Sequence, residues 1–245
     1  MTKVALITGA SRGLGKVIAG FLAAQNFELI LTARGAEALT AAAAEIQSYG
    51  GQIVALPGDV SKGAHQQALA DVVAKRGRLD LLINNASILG PSPQPALATY
   101  PLETLEQVFA VNTLAPLALV QTLLPWLTEA QGLVVNLSSD AAVGGYPGWG
   151  GYGASKAALD LLSLTLANEL RDRGVAVVSV DPGDMRTQMH QEAFPGQDIS
   201  DRPLPDTTLP FWAWLLAQKP LAISSRRFQA QAAVWTVAEV HHATH

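Results

Sequence analysis

The chain is predicted to be an α/β protein: a doubly wound, mostly parallel, seven-stranded sheet with helices on both faces. Three observations predict this. Short runs rich in Val, Ile and Leu alternate with longer stretches of helical composition. The runs are nearly continuously apolar, as strands buried on both faces require. A glycine-rich turn joins the first run to the first helical stretch, where open α/β sheets receive a ligand.

The elements follow in order. Val4–Thr8, Phe27–Thr32, Ile53–Leu56, Leu79–Asn84, Leu133–Ser138 and Val175–Asp181 are expected as strands, most of them beside a Gly, Asn or Asp. Gly13–Gln25, Gly35–Tyr49, Lys62–Arg76, Leu102–Leu127 and Tyr152–Arg173 are expected as helices. Right-handed crossovers then give a doubly wound sheet, with a seventh strand near Arg226–Gln231. No linker or composition break divides the run, so a single domain over residues 1–245 is expected. Gly183 to Pro210 breaks the regularity, with prolines at 195, 203, 205 and 210. An irregular stretch there, taken as about 183–215, is placed to cover a substrate; its plain alternative is an ordinary loop.

Composition narrows the function. The chain has 245 residues, 49% hydrophobic and only 15% charged, which excludes disorder. Folding would bury roughly 72% of its surface. The low charge also suggests that another subunit covers part of it. A net charge of −4 leaves no basic excess for nucleic acid. With no Cys, disulfides, thiolate metal sites and Cys nucleophiles are excluded. Phe109–Leu127 is apolar but holds Asn112, Thr113, Gln121 and two prolines, so it reads as a buried helix and not as a membrane span. No leader pattern is visible, and a cytoplasmic location is expected. His241, His242 and His245 lie at a terminus and read as solvated; no metal is expected.

The turn Thr8-Gly9-Ala10-Ser11-Arg12-Gly13-Leu14-Gly15 opens the first helix. Its glycines allow a tight turn and close approach, and a helix N-terminus attracts phosphate. It is not a P-loop, because Ala10 and Val17 stand where Gly and Ser/Thr are needed. It is not G-x-G-x-x-G, because residue 18 is Ile. Asp59-Val60 closes the third strand, and the Asp either accepts from an adenine amino group or caps the next helix. Asn84-Asn85-Ala86 ends the fourth strand and suits either a ribose contact or a turn.

Tyr152 and Lys156 are spaced to share one helix face, and Ser139 ends the fifth strand. A Tyr with a pKa near about 10 is a poor catalyst at neutral pH, and a nearby ammonium would favour its phenolate. The three make an acid–base site without His, metal or Cys. Ser138 should point to the opposite face of the strand.

Taken together, the turn Thr8–Gly15, Asp59-Val60, Asn84-Asn85-Ala86, Asn112, Ser139, Tyr152-x-x-x-Lys156, and Pro182-Gly183 with Thr187 resemble the short-chain dehydrogenase/reductase superfamily, in its short single-domain, Rossmann-like subtype. The resemblance runs from residue 3 to about 190. It implies a carbonyl reductase or alcohol dehydrogenase that moves hydride between a nicotinamide cofactor and a small carbonyl or alcohol substrate. Tyr152 would move the proton and Ser139 would hold the oxygen. Lys156 would bind the nicotinamide ribose and lower the Tyr152 pKa, and Asn112 would keep a relay water. Gly9, Ser11, Arg12, Gly13, Leu14, Gly15, Asp59, Val60, Asn85, Ala86 and Ser87 would hold the rest of the cofactor, with Pro182, Gly183 and Thr187 on the nicotinamide.

The second strand ends in Ala33-Arg34 where an NAD-preferring site would place a carboxylate. Arg12 and Arg34 therefore suit the 2′-phosphate of NADP(H), by roughly a hundredfold or more if both make charge-assisted hydrogen bonds. Two departures stand out: Ser87 replaces the usual Gly, and Ser224-Ser225-Arg226-Arg227-Phe228 replaces the usual C-terminal segment. The second weakens any assignment to the fatty-acid ketoacyl reductases. The apolar helices Leu102–Leu127 and Tyr152–Arg173 match the family's other interface, so a homodimer or homotetramer is expected. Met185, Met189 and Phe194 are candidates for a hydrophobic substrate pocket; Phe211, Trp212 and Trp214 either join them or pack in the core. The competing function is a non-catalytic NADP(H)-binding sensor or scaffold, which the intact Ser139, Tyr152 and Lys156 disfavour.

Overall fold

In the computed structural model, which describes residues 1–237, the apolar runs become β1 (Val4–Thr8), β2 (Glu28–Ala33), β3 (Ile53–Pro57), β4 (Leu81–Asn84), β5 (Leu133–Leu137), β6 (Ala176–Asp181) and β7 (Arg227–Gln229). They form a seven-stranded sheet in the order β3-β2-β1-β4-β5-β6-β7. Every pairing is parallel, so no antiparallel edge strand accompanies it. The strand ends shift slightly from expectation. Leu79 and Asp80 stay outside β4, and the Asp80 carboxylate accepts from Val4 N at 2.9 Å and pairs with Arg78 at 2.6 Å. β7 is shorter than Arg226–Gln231, with Arg227 and Gln229 exposed on either side of buried Phe228.

The chain runs outward from β1 through β2 and β3, then returns to the other side of β1 for β4. The C-terminal strand ends diverge there and leave a crevice. Alternate strand residues feed two cores. Ala5, Ile7, Leu29 and Leu31 face α1 (Gly13–Ala24) and α2 (Ala36–Gln47), while Val4, Leu6, Ile30 and Val134 face the other layer. That layer holds α3 (Gly63–Ala74), α4 (Leu102–Phe109), α5 (Ala115–Ala130) and α7 (Gly150–Glu169). The short α6 (Ala141–Gly144) lies between β5 and α7.

The helix expected over Leu102–Leu127 is not regular. A π turn, Ala110–Leu114, separates α4 from α5. Pro116 has no N–H to give the carbonyl of Asn112, so the α-helical ladder cannot run through this point. Leu102–Ala130 as a whole is long and apolar enough to cross a membrane by length and composition alone. It lies instead against the sheet, with Leu119, Val120, Leu123 and Leu127 buried in the core.

After β6, the irregular segment contains α8 (Gln188–Ala193) and a 3-10 turn, Pro205–Thr208. It leads into α9 (Leu209–Ala217) and α10 (Pro220–Ile223), then β7. Phe211 and Trp212 are buried, and Phe211 meets Trp212 and Trp235 with ring centroids 5.5 Å apart in each case. Trp214 meets Phe228 at 5.3 Å. These aromatics fasten α9 to β7, so Phe211, Trp212 and Trp214 are core residues and not pocket residues.

Candidate active site

A cavity of about 1490 Å³ opens at the crevice. It is lined by Gly9, Ser11, Arg12, Gly13, Leu14, Arg34, Asp59, Val60, Asn85, Ala86, Ser87, Tyr152, Lys156, Pro182 and Thr187. Sequence positions far apart are thus brought to one surface. Gly15, Gly183, Asn112 and Ser139 are not part of that lining. A Cβ on Gly15 would stand 2.5 Å from Gly9 O, so glycine is needed there to let α1 meet the turn. The N-terminus of α1 has no side-chain cap, and its free N–H groups face the cavity. That suits a pyrophosphate, so the residues present fit a dinucleotide.

The turn is tied to β4. Asn85 Nδ2 donates to Thr8 O at 2.8 Å and Gly9 O at 3.1 Å, while the Thr8 hydroxyl accepts from Asn85 N and Ala86 N. Asp59 accepts from the Ser61 N–H and hydroxyl in a local turn; α3 starts at Gly63 without a side-chain cap, so Asp59 does not have the capping role that was one of its two expected ones. Partial burial pushes its pKa up, but those two bonds and the charges of Lys62 and Arg34 outweigh burial and hold it below the usual carboxylate value.

The two arginines line the same cavity with different partners. Arg34 acts on Asp59, whereas Arg12 Nη1 donates to Gln188 Oε1 across the cleft. Gln188 in turn donates to Glu192 at 2.9 Å. Thr187 caps α8 by accepting from His190 N at 3.2 Å, which leaves its hydroxyl hydrogen available. Met185 and Met189 line the cavity. Phe194 stacks instead on Trp149 and His190, at 6.0 and 4.9 Å between centroids.

Tyr152 and Lys156 sit on successive turns of α7 and are both buried. A Cβ on Gly153 would stand 2.5 Å from Ala141 O, so this glycine lets α7 approach the start of α6. Lys156 Nζ donates to Leu137 O at 2.7 Å and lies 5.6 Å from the Tyr152 ring centroid. Burial pushes Tyr152 up to about 12, opposed by the hydroxyls of Ser87 and Ser139. Ser139 Oγ donates to Asp140 Oδ1 at 3.0 Å. Ser138, which belongs to the cavity lining, donates to Asp160 Oδ2 at 2.7 Å.

Asn112 is completely buried and its side chain is saturated. Oδ1 accepts from Ser87 Oγ and Ile88 N, and Nδ2 donates to Ile88 O and Ser155 Oγ. The side chain is thus fully engaged within the protein, and Pro116 deprives the Asn112 carbonyl of its usual α-helical donor.

Sequence reasoning missed Arg227. Its guanidinium reaches Asp160 at 3.0 Å, Asp181 at 3.3 Å and Ser139 O at 2.7 Å. Burial pushes the Asp181 carboxyl up, opposed by Gly183 N–H and Arg227. Asp160, one helical turn beyond Lys156, was the available signal. Among the described residues no group of three or more His, Asp or Glu could hold a metal; His241, His242 and His245 lie outside the described residues.

Burial lowers Lys156 to about 8 from its ordinary 10.5, with the Asp160 charge opposing. The folded chain thus holds this proton less tightly than the unfolded chain does. The cost is fully present below about 8 and is relieved as pH rises towards 10.5, a gain on the order of 3 kcal/mol. Urea unfolding of wild type and Lys156→Met across this range should show the wild type gaining stability relative to the variant. A constant difference would show that the ammonium carries no burial cost.

Comparison with known proteins agrees with this architecture. The family model described as short chain dehydrogenase matches residues 3–198. The 3-oxoacyl-[acyl-carrier-protein] reductase of rhamnolipid biosynthesis from Pseudomonas aeruginosa is 36% identical, covering 76% of this chain and 74% of that protein. Serine 3-dehydrogenase of Agrobacterium fabrum is 37% identical, covering 77% and 74%. A short chain dehydrogenase of Escherichia coli, crystallised with NADPH, superposes with a TM-score of 0.85 at 31% identity, covering 94% of this chain and 97% of that one. The structural likeness thus continues past residue 198, where the family model ends. The relatives are reductases and dehydrogenases, the chain is an enzyme of their kind, and it belongs to the short-chain dehydrogenase/reductase superfamily.

Proposed function

We propose that this enzyme is an NADP(H)-dependent carbonyl reductase or alcohol dehydrogenase acting on a small hydrophobic substrate through Ser139, Tyr152 and Lys156. The observation that carries this reading is the burial of Tyr152 and Lys156 together on the wall of the cavity that the glycine turn also lines. When bound, the nicotinamide supplies or accepts the hydride at the carbonyl carbon. Gly9, Ser11, Gly13, Leu14 and the N-terminus of α1 would hold the pyrophosphate, with Pro182, Gly183 and Thr187 near the nicotinamide.

Tyr152, raised to about 12, is a neutral phenol at pH 7 and is ready to give its proton to a carbonyl oxygen. Ser139 orients that oxygen, and the Asn112 carbonyl would keep the water that restores the proton. Met185, Met189, Leu89 and Val111 give the cavity apolar walls. The segment from Gly183 onward, with α8 over the cleft, would cover the substrate.

NADPH in the Escherichia coli neighbour supports NADP(H) here, as does the absence of a carboxylate at Ala33-Arg34. Arg34 is the primary 2′-phosphate ligand in this reading; Arg12, whose Nη1 is held by Gln188, would join it through its remaining N–H groups. Leu102, Leu114, Leu161 and Leu164 are exposed on α4, the π turn and α7, between 44% and 72%. This apolar face would be covered by a second copy.

Three measurements test these statements. Wild type should consume NADPH with members of a panel of aldehydes, ketones and diketones, and Tyr152→Phe should lose this by about a hundredfold or more; turnover retained in that variant refutes the acid–base assignment. Arg34→Ala should bind NADPH about tenfold or more weakly while binding NADH unchanged, and equal NADPH affinity would remove Arg34 from the selection. Light scattering at micromolar concentration should give a dimer or larger, and a monomer would refute the assembly.

A further inference from the structure

Arg227 comes from the C-terminal segment that departs from the family pattern, and its guanidinium meets partners from β6, α7 and the turn after β5. Nη2 donates to Ser139 O at 2.7 Å and to Asp181 Oδ2 at 3.3 Å, while Nε donates to Asp160 Oδ2 at 3.0 Å. Each partner leads to a part of the site. Ser139 carries the hydroxyl that would hold the substrate oxygen. Asp181 accepts from Gly183 N at 3.0 Å through its other oxygen, so it shapes the turn that carries Pro182 and Gly183. Asp160 stands one helical turn beyond Lys156 and also accepts from Ser138 Oγ at 2.7 Å.

The sheet alone does not hold Ser139. The pairing of β5 with β6 ends at Leu137 and Val180, and Ser138 N then donates to Val180 O at 2.7 Å. Beyond that bond, Ser139 O accepts from Ala142 N at 3.1 Å, within its own turn, and from Arg227, which comes from β7. The guanidinium thus ties this turn to the last strand and to the end of β6. Its shape suits the task, because a planar fork sends several N–H donors in fixed directions. Asp160 and Asp181 both meet this one cation, and Asp181 is only 4% exposed. Without the cation, two like charges would face each other and favour separation of α7 from β6.

We propose that Arg227 is a positioning residue for the reaction, a guanidinium that locks the Ser139 turn to the Pro182-Gly183 turn so that substrate oxygen and nicotinamide are held in one frame. This rests on Ser139 and Tyr152 acting on the substrate as proposed above. Arg227 is not part of the cavity lining, so it acts through the backbone and carboxylates that it holds. Hydride and proton reach neighbouring atoms of one carbonyl, and their two sites must keep their spacing to within about 0.5 Å. Loss of Arg227 therefore slows the chemistry more than it weakens cofactor binding. The glycine turn and the N-terminus of α1, which would hold the pyrophosphate, belong to other elements.

The test compares wild type, Arg227→Met and Arg227→Lys. It reads NADPH affinity by fluorescence titration, the thermal midpoint Tm, and kcat with 2,3-butanedione as the carbonyl probe. Arg227→Met should bind NADPH within about threefold of wild type and lose kcat by about tenfold or more. Arg227→Lys keeps a charge between the carboxylates, and with it the fold, but lacks the planar fork. It should lose kcat by about threefold or more with NADPH affinity again retained, and it decides the matter if Arg227→Met does not fold. A wild-type kcat in either folded variant, with Tyr152→Phe inactive, overturns the role of Arg227 alone. A loss of activity that only tracks the folded fraction also overturns it, since that marks a merely structural bond. Turnover retained in Tyr152→Phe sinks the acid–base reading and this role together. A crystal structure of wild type with NADPH bound needs no substrate: the guanidinium bridging Ser139 O and Asp181 is the expected result, and a guanidinium turned out of that bridge overturns the proposal.

Discussion

Asn85 binds the end of β4 to the turn that follows β1 by donating one amide group to both Thr8 O and Gly9 O. The Thr8 hydroxyl accepts the Asn85 and Ala86 N–H groups and also faces Ile83 O at 3.4 Å. Thr8 is 2% exposed, so these groups have no solvent alternative, and losing one partner would strand the others. The clamp sits at the point where strand order reverses. It fixes the glycine turn on one side and the Ala86-Ser87 backbone on the other. Each part of the cavity wall is thus referred to the same joint.

Two further polar anchors lie beneath the site. Asn112 uses all four of its side-chain hydrogen-bonding positions on Ser87, Ile88 and Ser155. Arg227 spans Asp160, Asp181 and Ser139 O, tying the last strand to the strand end that carries Ser139. The acid–base pair is held between them on α7. The cost of burying Tyr152 and Lys156 is borne by this surrounding rigidity, because neither group has a full salt bridge of its own.

The sequence made some of this legible and not the rest, for physical reasons. Tyr152 and Lys156 were visible because a helix turns spacing into a shared face. The parallel sheet was visible because strands covered on both faces must be apolar throughout. Arg227 was hidden, since its partners meet it only after β7 joins β6, and its neighbours Ser224, Ser225 and Arg226 give no periodic signal. The saturation of Asn112 was hidden too, although Pro116 marked where the helix had to change its hydrogen bonding. Phe211, Trp212 and Trp214 were ambiguous because an apolar aromatic serves a pocket and a core equally well. Only the position of α9 against β7 decides between them. Arg12 and Arg34 were legible because both flank the first two strand ends, and both line the cavity; the bond from Arg12 to Gln188 was not legible, because Gln188 lies far along the chain.

The borders of the sheet differ from its centre. β3 ends in Pro57, which has no N–H to offer, and it follows the left-handed backbone of Gly50 and Gly51. β7 is three residues long, exposes Arg227 and Gln229, and has its guanidinium turned inward onto two carboxylates. Among the described residues neither border offers a long, flat, apolar ladder to a passing chain. Strand-to-strand fusion between molecules is thereby discouraged at both ends. A fully parallel sheet, which cannot hide its rims by curling into a barrel, can then stay dispersed at high concentration while its helical flanks remain free to choose a neighbour.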